Sequence, residues 1–205
     1  MLVDRSVRDL LAAFSSSDPT PGGGSASALA SAIGVSLLTM VAGLPKTRGN
    51  SAEDRQALDA AAAALTGLRA RLTDAVDADS AAYDRVVAAY RMPKASPDEQ
   101  TARKAAIQDA LRAATDVPLG VVRLSSEGLS QAAVVAAHGH RAAASDVGVA
   151  LAMLKAGAAG ARLNVAINLD GIADASYVDS VRGDVATLSS EIEKTAALAE
   201  HALST

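Results

Sequence analysis

The chain contains no cysteine among its 205 residues, which excludes disulfide bonds, thiolate zinc sites and cysteine nucleophiles. It also has no tryptophan, one phenylalanine and three tyrosines, although 50% of its residues are hydrophobic. The apolar side chains are therefore mostly alanine, leucine and valine, each of which buries little area. A core made from them requires many close contacts between helices.

An excess of basic charge is missing as well. The chain carries 19 Lys and Arg against 23 Asp and Glu, for a net charge of −4, and the two signs are interspersed. This distribution gives no basic footprint for a nucleic acid, so we expect no nucleic-acid partner. The opening residues, MLVDRSVRDL, place charges where a secretory signal needs an apolar core, and we therefore expect a cytoplasmic protein.

One stretch, residues 25–44, is long and apolar enough to cross a bilayer. It contains serines, a threonine and two glycines, however, and no cluster of Lys or Arg and no aromatic belt flanks it. We expect a buried central helix here and no membrane association.

Signals for β-strands are nearly absent, because β-branched residues are scattered among alanines instead of alternating with polar residues. The sequence therefore predicts an all-α protein, a single-domain bundle of long Ala-rich helices over residues 1–205. The predicted helical segments run approximately over Val3–Phe14, Ser25–Leu44, Ala52–Tyr90, Pro97–Thr115, Pro118–His138, Ala142–Leu169 and Asp174–Leu203.

Small residues recur at helical spacing in two places, as Ala26/Ala30/Gly34 and as Gly157 with Gly160/Ala161. Such spacing lets two helix backbones approach closely. An exposed Ala/Leu face on a long helix would then be covered by a second copy of the chain. We expect a homodimer, since closed two-fold pairs are the commonest assemblies.

Asp79 occupies an unusual position in the predicted long helix. At about 100° per residue it projects into the centre of an apolar stripe, in line with Leu72 and Val86. A carboxylate there loses hydration, which penalises its charged form unless a cation or hydrogen-bond donors compensate. Asp79 is therefore either a functional-site candidate or a structural aspartate that caps a neighbouring helix.

A second polar stripe follows the "HGH" break. If the helix is continuous, one face carries a carboxylate, two carboxamides, a methionine and a glycine, at Asp146, Met153, Gly157, Asn164 and Asn168. This stripe suits a groove that binds a flat polar ligand through hydrogen bonds. A ladder of hydrogen bonds between helices at a dimer seam is the alternative.

The segment "PTPGGGSASA" precedes the apolar helix. It is neither a P-loop nor a dinucleotide fingerprint, because no Lys follows it and no strand precedes it. Gly22 to Ser25 instead open a helix, where free backbone N–H groups favour a carboxylate or another electron-rich group. His138 and His140 could touch a metal, but no third ligand has a fitting spacing, so we expect no metal.

The same segments carry a family likeness. "PTPGGGSASALASAIGVSLLTMVAGL", "DSAAYDRVVAAYRMPK", "ATDVPLGVV" and "SDVGVALAMLKAGAAGARLNVAINLDGIAD" resemble, in the same order, the motifs of the cyclodeaminase/cyclohydrolase family. The resemblance covers most of the chain. It implies an all-helical homodimer that acts on a folate, which can be polyglutamylated, without a metal or redox cofactor.

Position by position, the resemblance puts the following residues at or near the site: Gly22, Gly23, Gly24, Ser25, Asp79, Lys94, Asp146, Asn164 and Asn168. The helical wheels select Asp79, Asp146, Asn164 and Asn168 independently. The chain departs from the family pattern at Pro45, where relatives carry a threonine, and at His140, in place of a Gly-Asn pair.

The resemblance also implies the chemistry. The expected reaction is the reversible hydrolysis of 5,10-methenyltetrahydrofolate to 10-formyltetrahydrofolate; the alternatives are cyclodeamination of formiminotetrahydrofolate and a non-catalytic helical dimer. In the first case Asp79 would act as general base and then acid, and Asp146 would orient the substrate or stabilise its cation. Asn164 and Asn168 would bind the pterin or the developing oxygen, and Lys94 would meet the tail carboxylates.

Overall fold

The computed structural model describes residues 1–204; Thr205, the last residue of the predicted domain, lies outside the described residues. The helices are α1 (Val7–Phe14), α2 (Gly23–Ala42), α3 (Ala52–Tyr90), α4 (Pro97–His138), α5 (Ala144–Leu169) and α6 (Ala175–Ser204), with a 3₁₀ turn at Arg141–Ala143. The all-α expectation is confirmed, since residues 1–204 contain no β-strand.

Most helix starts follow from local capping. The hydroxyl of Ser6 accepts from Asp9 N at 3.2 Å, so α1 begins at Val7 and not at Val3 as predicted. Ser51 caps α3 in the same way. Ser96 and Glu99 form a capping box at the start of α4, where a proline occupies the first turn.

The predicted break at Pro118 was wrong. The sequence predicted separate segments before and after Pro118, whereas α4 runs through Pro118 without a break. A proline inside a helix removes one main-chain hydrogen bond. A side chain from α5 compensates for that loss by donating a hydrogen bond to the freed carbonyl.

Helix α2 is the centre of the bundle and packs against α3, α4 and α5. It runs antiparallel to α5, and glycines allow the two backbones to approach closely. A Cβ on Gly157 would lie 2.7 Å from the carbonyl oxygen of Ser27, and one on Gly34 would lie 2.9 Å from that of Ala150. The predicted close approach therefore occurs within one chain, but Ala26, which was predicted to share it, is exposed.

Two helical stretches, Gly23–Ala42 and Arg141–Leu169, are long and apolar enough to cross a membrane. The first is the core helix of the bundle, and 56% of its apolar window is buried inside the protein. A core helix of this kind meets the length and hydropathy criteria without any membrane.

The end of α2 lies about 30 Å from its glycine-rich start, by the rise of a 20-residue helix. At this far end Asp54 binds His138 Nδ1 at 2.8 Å and accepts from Gly49 N at 2.7 Å. Pro45 lies in the loop that follows α2, and His140 follows α4 at the same end. The two departures from the family pattern are therefore remote from the glycine loop of the same chain.

Candidate active site

A pocket of about 340 Å³ lies where the glycine loop meets α3, α4 and the C-terminal end of α5. This volume is near the lower end of the range for small-molecule sites. Its lining consists of Pro19, Thr20, Gly22, Gly23, Gly24, Asp79, Tyr83, Val86, Leu111, Ala114, Asn164, Ile167 and Asn168.

Asp79 projects from α3 onto the start of α2. Its Oδ2 accepts from the backbone N–H of Ser25 at 2.8 Å and from the Ser25 hydroxyl at 2.9 Å. Asp79 is half-buried and lines the pocket, whereas Ser25 is fully buried behind it. The carboxylate therefore caps a neighbouring helix and also faces the pocket, so the two roles considered for it are compatible.

Gly24 is required for this arrangement. A Cβ built on Gly24 would overlap Asp79 Oδ1 and would lie 2.8 Å from Asp79 Oδ2. Real Cβ atoms do not come this close to an oxygen, so any other residue at this position would displace the carboxylate. The glycine in the loop thus makes room for the acid.

The start of α2 also offers unpaired main-chain donors. Gly22 provides no side-chain cap, and the N–H groups of Gly23 and Gly24 have no acceptor among residues 1–204. The Cβ position of Gly23 lies 3.4 Å from Asn164 Nδ2, which itself donates to Gly160 O at 2.9 Å. Donors at a helix start beside a carboxamide suit an electron-rich group of a ligand.

Asn168 is held by the proline inside α4. In an uninterrupted helix, the N–H of residue 118 would donate to the carbonyl of Ala114, but proline has no N–H. Asn168 Nδ2 donates to that carbonyl instead, at 2.7 Å. This bond satisfies the freed carbonyl and fixes the Asn168 carboxamide at the wall of the pocket.

Apolar side chains complete the walls. Tyr83 and Val86 follow Asp79 on α3, Leu111 comes from α4, and Ile167 comes from α5. Tyr83 is 41% exposed and Ile167 is 69% exposed. The predicted apolar stripe of α3 therefore lies in the buried core at Leu72, whereas beyond Asp79 it forms part of the rim of the pocket. A flat ligand can pack against these surfaces while its edges meet the polar groups.

Lys94 does not line this pocket. It belongs to an adjacent cavity of about 340 Å³ together with Arg103, Lys104 and Ile107. Ile107 lies one helical turn from Leu111, which lines the first pocket. The two cavities are therefore neighbours along α4, and the second is basic.

Asp146 is also outside the pocket. It precedes Asn164 by 18 residues on α5, a separation of about 27 Å along the helix. Between them, Gly157 packs against α2, so the predicted continuous groove along this face does not exist within one chain. Asp146 is half-buried in the first turn of α5 and has no hydrogen bond within residues 1–204.

The shifted pKa values belong to structural contacts elsewhere. The His138 side chain and the Gly49 N–H lower the pKa of Asp54 to about 2. Burial, followed by the hydrogen bond to Asp116, raises the pKa of Tyr177 to about 12. The Ser176 hydroxyl lowers the pKa of Asp174.

The chain matches a known protein family over most of its length. The family model described as formiminotransferase-cyclodeaminase matches residues 6–187. The chain is also 37% identical to the methenyltetrahydrofolate cyclohydrolase of Methylorubrum extorquens over 179 residues, which are 87% of this chain and 86% of that protein.

The chain belongs to the formiminotransferase-cyclodeaminase family. Another family relative, the formimidoyltransferase-cyclodeaminase of Rattus norvegicus, is 33% identical over 96% of this chain, but this chain spans only 36% of the rat protein. The crystal structure of formiminotetrahydrofolate cyclodeaminase from Thermotoga maritima covers 100% of the chain with a TM-score of 0.88. Its sequence identity is 24%, so this likeness shows the fold.

Within this family member, the structure brings together most of the predicted site residues. Gly22 to Gly24, Asp79, Asn164 and Asn168 surround one pocket, with Ser25 behind them. Sequence reasoning missed Leu111, Ala114 and the role of Pro118. A proline within an otherwise helical pattern was the available signal, and it was interpreted as a break.

Proposed function

We propose that this family member hydrolyses 5,10-methenyltetrahydrofolate to 10-formyltetrahydrofolate, reversibly. The observation that carries the proposal is the Asp79 carboxylate, held on the start of α2 and facing a pocket with amide and carboxamide groups around it. The Methylorubrum extorquens relative, similar over nearly its whole length, bears the corresponding name.

The substrate is a cation whose positive carbon lies between N5 and N10. Asp79 would lie beside this carbon and attract it electrostatically. The pteridine would pack between Tyr83 and Ile167, with its polar edge against Asn164 and Asn168. An apolar wall with a few placed polar groups is the usual composition of such a pocket.

Asp79 then acts as general base and acid. Water adds to the cationic carbon, its oxygen forms a C–O bond, and Asp79 takes one proton from it. The tetrahedral adduct collapses as its C–N5 bond breaks and N5 receives the proton from Asp79. As the formyl C=O forms, Asp79 accepts the remaining hydroxyl proton, and this is the proton that each turnover releases to solvent.

The carboxamides of Asn164 and Asn168 and the N–H groups of the glycine loop would bind the pterin or the oxygen that develops in this step. No metal, redox or organic cofactor takes part in the proposed reaction. The folate derivative is the substrate.

The basic cavity beside the pocket suits the tail of the folate. Lys94, Arg103 and Lys104 line it, and all three are cations that pair with carboxylates. Arg103 donates to the carbonyl of Tyr90 at 3.0 Å, which fixes its position. A glutamate or polyglutamate tail that leaves the pocket past Leu111 would enter this cavity.

Two exposed apolar faces support a homodimer. On α5 the exposed residues are Val149, Ala152, Ala156, Ala159, Leu163, Ala166 and Ile167, and on α2 they include Ala26, Ile33 and Met40. The glycine contacts between these antiparallel helices place both faces on one side of the pair. A second copy of the chain would cover them and protect them from water.

The dimer would also give Asp146 a role. If two α5 helices pair antiparallel about the middle of their exposed faces, Asp146 of the partner subunit comes close to the end of α5 that carries Asn168. Asp146 would then orient the substrate or stabilise its cation from the second copy. We place this dimer in the cytoplasm, without a membrane or a nucleic acid as partner.

Cyclodeamination of formiminotetrahydrofolate is the second candidate, because the rat relative with that activity in its name matches 96% of the chain. In that reaction N10 attacks the formimino carbon and ammonia leaves, and the same carboxylate would protonate the leaving amine. A non-catalytic helical dimer is the third.

Two assays on one purified preparation separate these functions. The first follows the loss of methenyltetrahydrofolate absorbance with the spontaneous decay subtracted, and the second follows ammonia release from formiminotetrahydrofolate. We expect activity in the first and little in the second. Activity only in the second would assign the deaminase function, and a folded dimer silent in both would refute the enzymatic proposal.

A further inference from the structure

A chain of hydroxyl groups leads away from Asp79 on the side opposite the pocket. The Ser25 hydroxyl donates to Asp79 Oδ2 at 2.9 Å, and it lies 3.3 Å from the Ser80 hydroxyl. A serine has one hydroxyl hydrogen, and that of Ser25 is used on Asp79. Ser80 is therefore the donor to Ser25, and the chain runs in one direction from Ser80 to the carboxylate.

Ser80 lines a second cavity of about 360 Å³, which we call the back cavity. It is bounded by Met1, Leu2, Arg5, Ala13, Ser16, Asp18, Thr20, Pro21, Asp77 and Ser80. Thr20 also lines the pocket that Asp79 faces, so the segment around it separates the two cavities. Ser80 thus connects the buried Ser25 to a space on the other side of the loop.

The back cavity is suited to water. Arg5, Asp18 and Asp77 give it charged walls. Asp77 Oδ1 accepts from Leu2 N at 2.5 Å, but Asp77 Oδ2 is buried without a hydrogen-bond partner among the described residues. Buried polar atoms of this kind are usually satisfied by ordered water.

We propose that Ser25 and Ser80 form a proton relay between Asp79 and water in the back cavity. The relay rests on the proposed function, in which each hydrolysis leaves one proton on Asp79 while the bound pteridine covers the side of Asp79 that faces the pocket. Without a second route, proton release would wait for the product to leave. Ser80 is a positioning residue here, because it acts on the reaction through Ser25 and Asp79.

Each serine oxygen of the relay gains one proton for every proton that it gives away. In the outward direction both hydroxyls rotate about their Cβ–Oγ bonds and protonated Asp79 donates from Oδ2 to Ser25. Ser25 passes its own hydrogen to Ser80, and Ser80 passes its own to water. One O–H bond breaks and one forms at each serine, and the arrangement seen in the structure is the one that serves the inward direction.

The test uses Ser80→Ala, Ser80→Thr and a matched control, Thr73→Ala. Thr73 lies two turns earlier on the same face of α3, and within residues 1–204 its side chain bonds only to its own helix, at Arg69 O. We expect Ser80→Ala to lower kcat for methenyltetrahydrofolate hydrolysis about tenfold or more, with KM within twofold of wild type. Added imidazole should restore kcat in this variant, because a small base in the back cavity can accept the proton.

Ser80→Thr keeps a hydroxyl and should retain most of the rate. An unchanged kcat in Ser80→Ala, or a loss that imidazole does not reverse and Ser80→Thr shares, would overturn the relay and leave a packing role. An inactive wild-type protein would refute the proposed function and the relay with it. An active wild type, an inactive Asp79→Asn and a fully active Ser80→Ala would refute the relay alone.

Discussion

Replacing Gly24 with alanine should separate the role of this glycine from ordinary helix propensity. In the second position of α2 an alanine would normally stabilise the helix by about 0.5–1 kcal/mol relative to glycine. Here its Cβ would overlap Asp79 Oδ1, so the carboxylate must move away from Ser25.

The size of the effect follows from the bonds lost. Asp79 makes two hydrogen bonds to Ser25, and bonds to a charged group contribute about 1.5–3 kcal/mol each. After allowance for partial relaxation and for the gain in propensity, we expect Gly24→Ala to lower the free energy of unfolding by about 2 kcal/mol. For a chain of this length that lowers Tm by about 4–8 °C.

Activity should fall further than stability. A displacement of about 1 Å at a catalytic group can cost about 100-fold in rate, and Asp79 must move at least that far. The assay is methenyltetrahydrofolate hydrolysis at a temperature well below the Tm of the variant, alongside thermal melts followed by circular dichroism.

The matched control is Gly67→Ala. Gly67 is exposed in α3, and a Cβ there would meet no described atom within 4 Å. This variant should keep full activity and gain about 0.5–1 kcal/mol of stability. If Gly24→Ala is as stable and as active as Gly67→Ala, a glycine at position 24 is not needed to hold Asp79 in place.

Three further predictions test other parts of the account. Pro118→Ala should maintain or raise Tm, because alanine is favoured over proline inside a helix by about 3 kcal/mol. The restored N–H should donate to Ala114 in place of Asn168, so the Asn168 carboxamide becomes free to move and KM should rise several-fold. An unchanged KM would contradict the role of Pro118 in fixing Asn168. The pKa of Asp54 is lowered from 3.8 to about 2, so its ionised form stabilises the fold above pH 3.8, and this contribution is lost as the pH falls through about 2. The amount by which Asp54→Asn lowers Tm at neutral pH should therefore shrink as the pH falls from 3.8 to about 2. A difference in Tm that stays constant over this range would contradict the linkage. Leu163→Asp, on a residue that is 73% exposed, should shift the sedimentation mass from dimer to monomer while the helical signal stays unchanged, and an unaltered dimer would exclude this face as the interface.

The sequence was informative where a residue differed in character from the residues that share its helix face or flank it. A carboxylate in the centre of an apolar stripe identified Asp79, and a glycine run before a long apolar helix identified the loop that contacts it. Helix periodicity depends on local side chains, so the bounds of α3 were predicted correctly at both ends.

The failures have a common physical cause. A helical wheel shows which face a residue shares, but it does not show the distance along the axis or which helix covers that face. Asp146 and Asn164 share a face and are nevertheless about 27 Å apart in one chain. Helix α4 continues through Pro118, and the hydrogen-bond donor that Pro118 lacks comes from Asn168, which is 54 residues from Ala114.

Ser80 carried no signal that could have been recognised from the sequence. Serine is common on helices, and the relevance of this one depends on Ser25, from another helix, lying 3.3 Å away. Sequence periodicity does not reveal such contacts between distant segments, whereas the structure shows them directly.

The most direct test of the account is the rate of methenyltetrahydrofolate hydrolysis by Asp79→Asn beside Asp84→Asn. Asp84 is exposed on the same helix and lies outside the pocket. We expect Asp79→Asn, folded with unchanged helical content, to lose about 100-fold or more in kcat, and Asp84→Asn to stay within twofold of wild type. A rate for Asp79→Asn within a few-fold of wild type would contradict the assignment of Asp79 as the group that moves the proton.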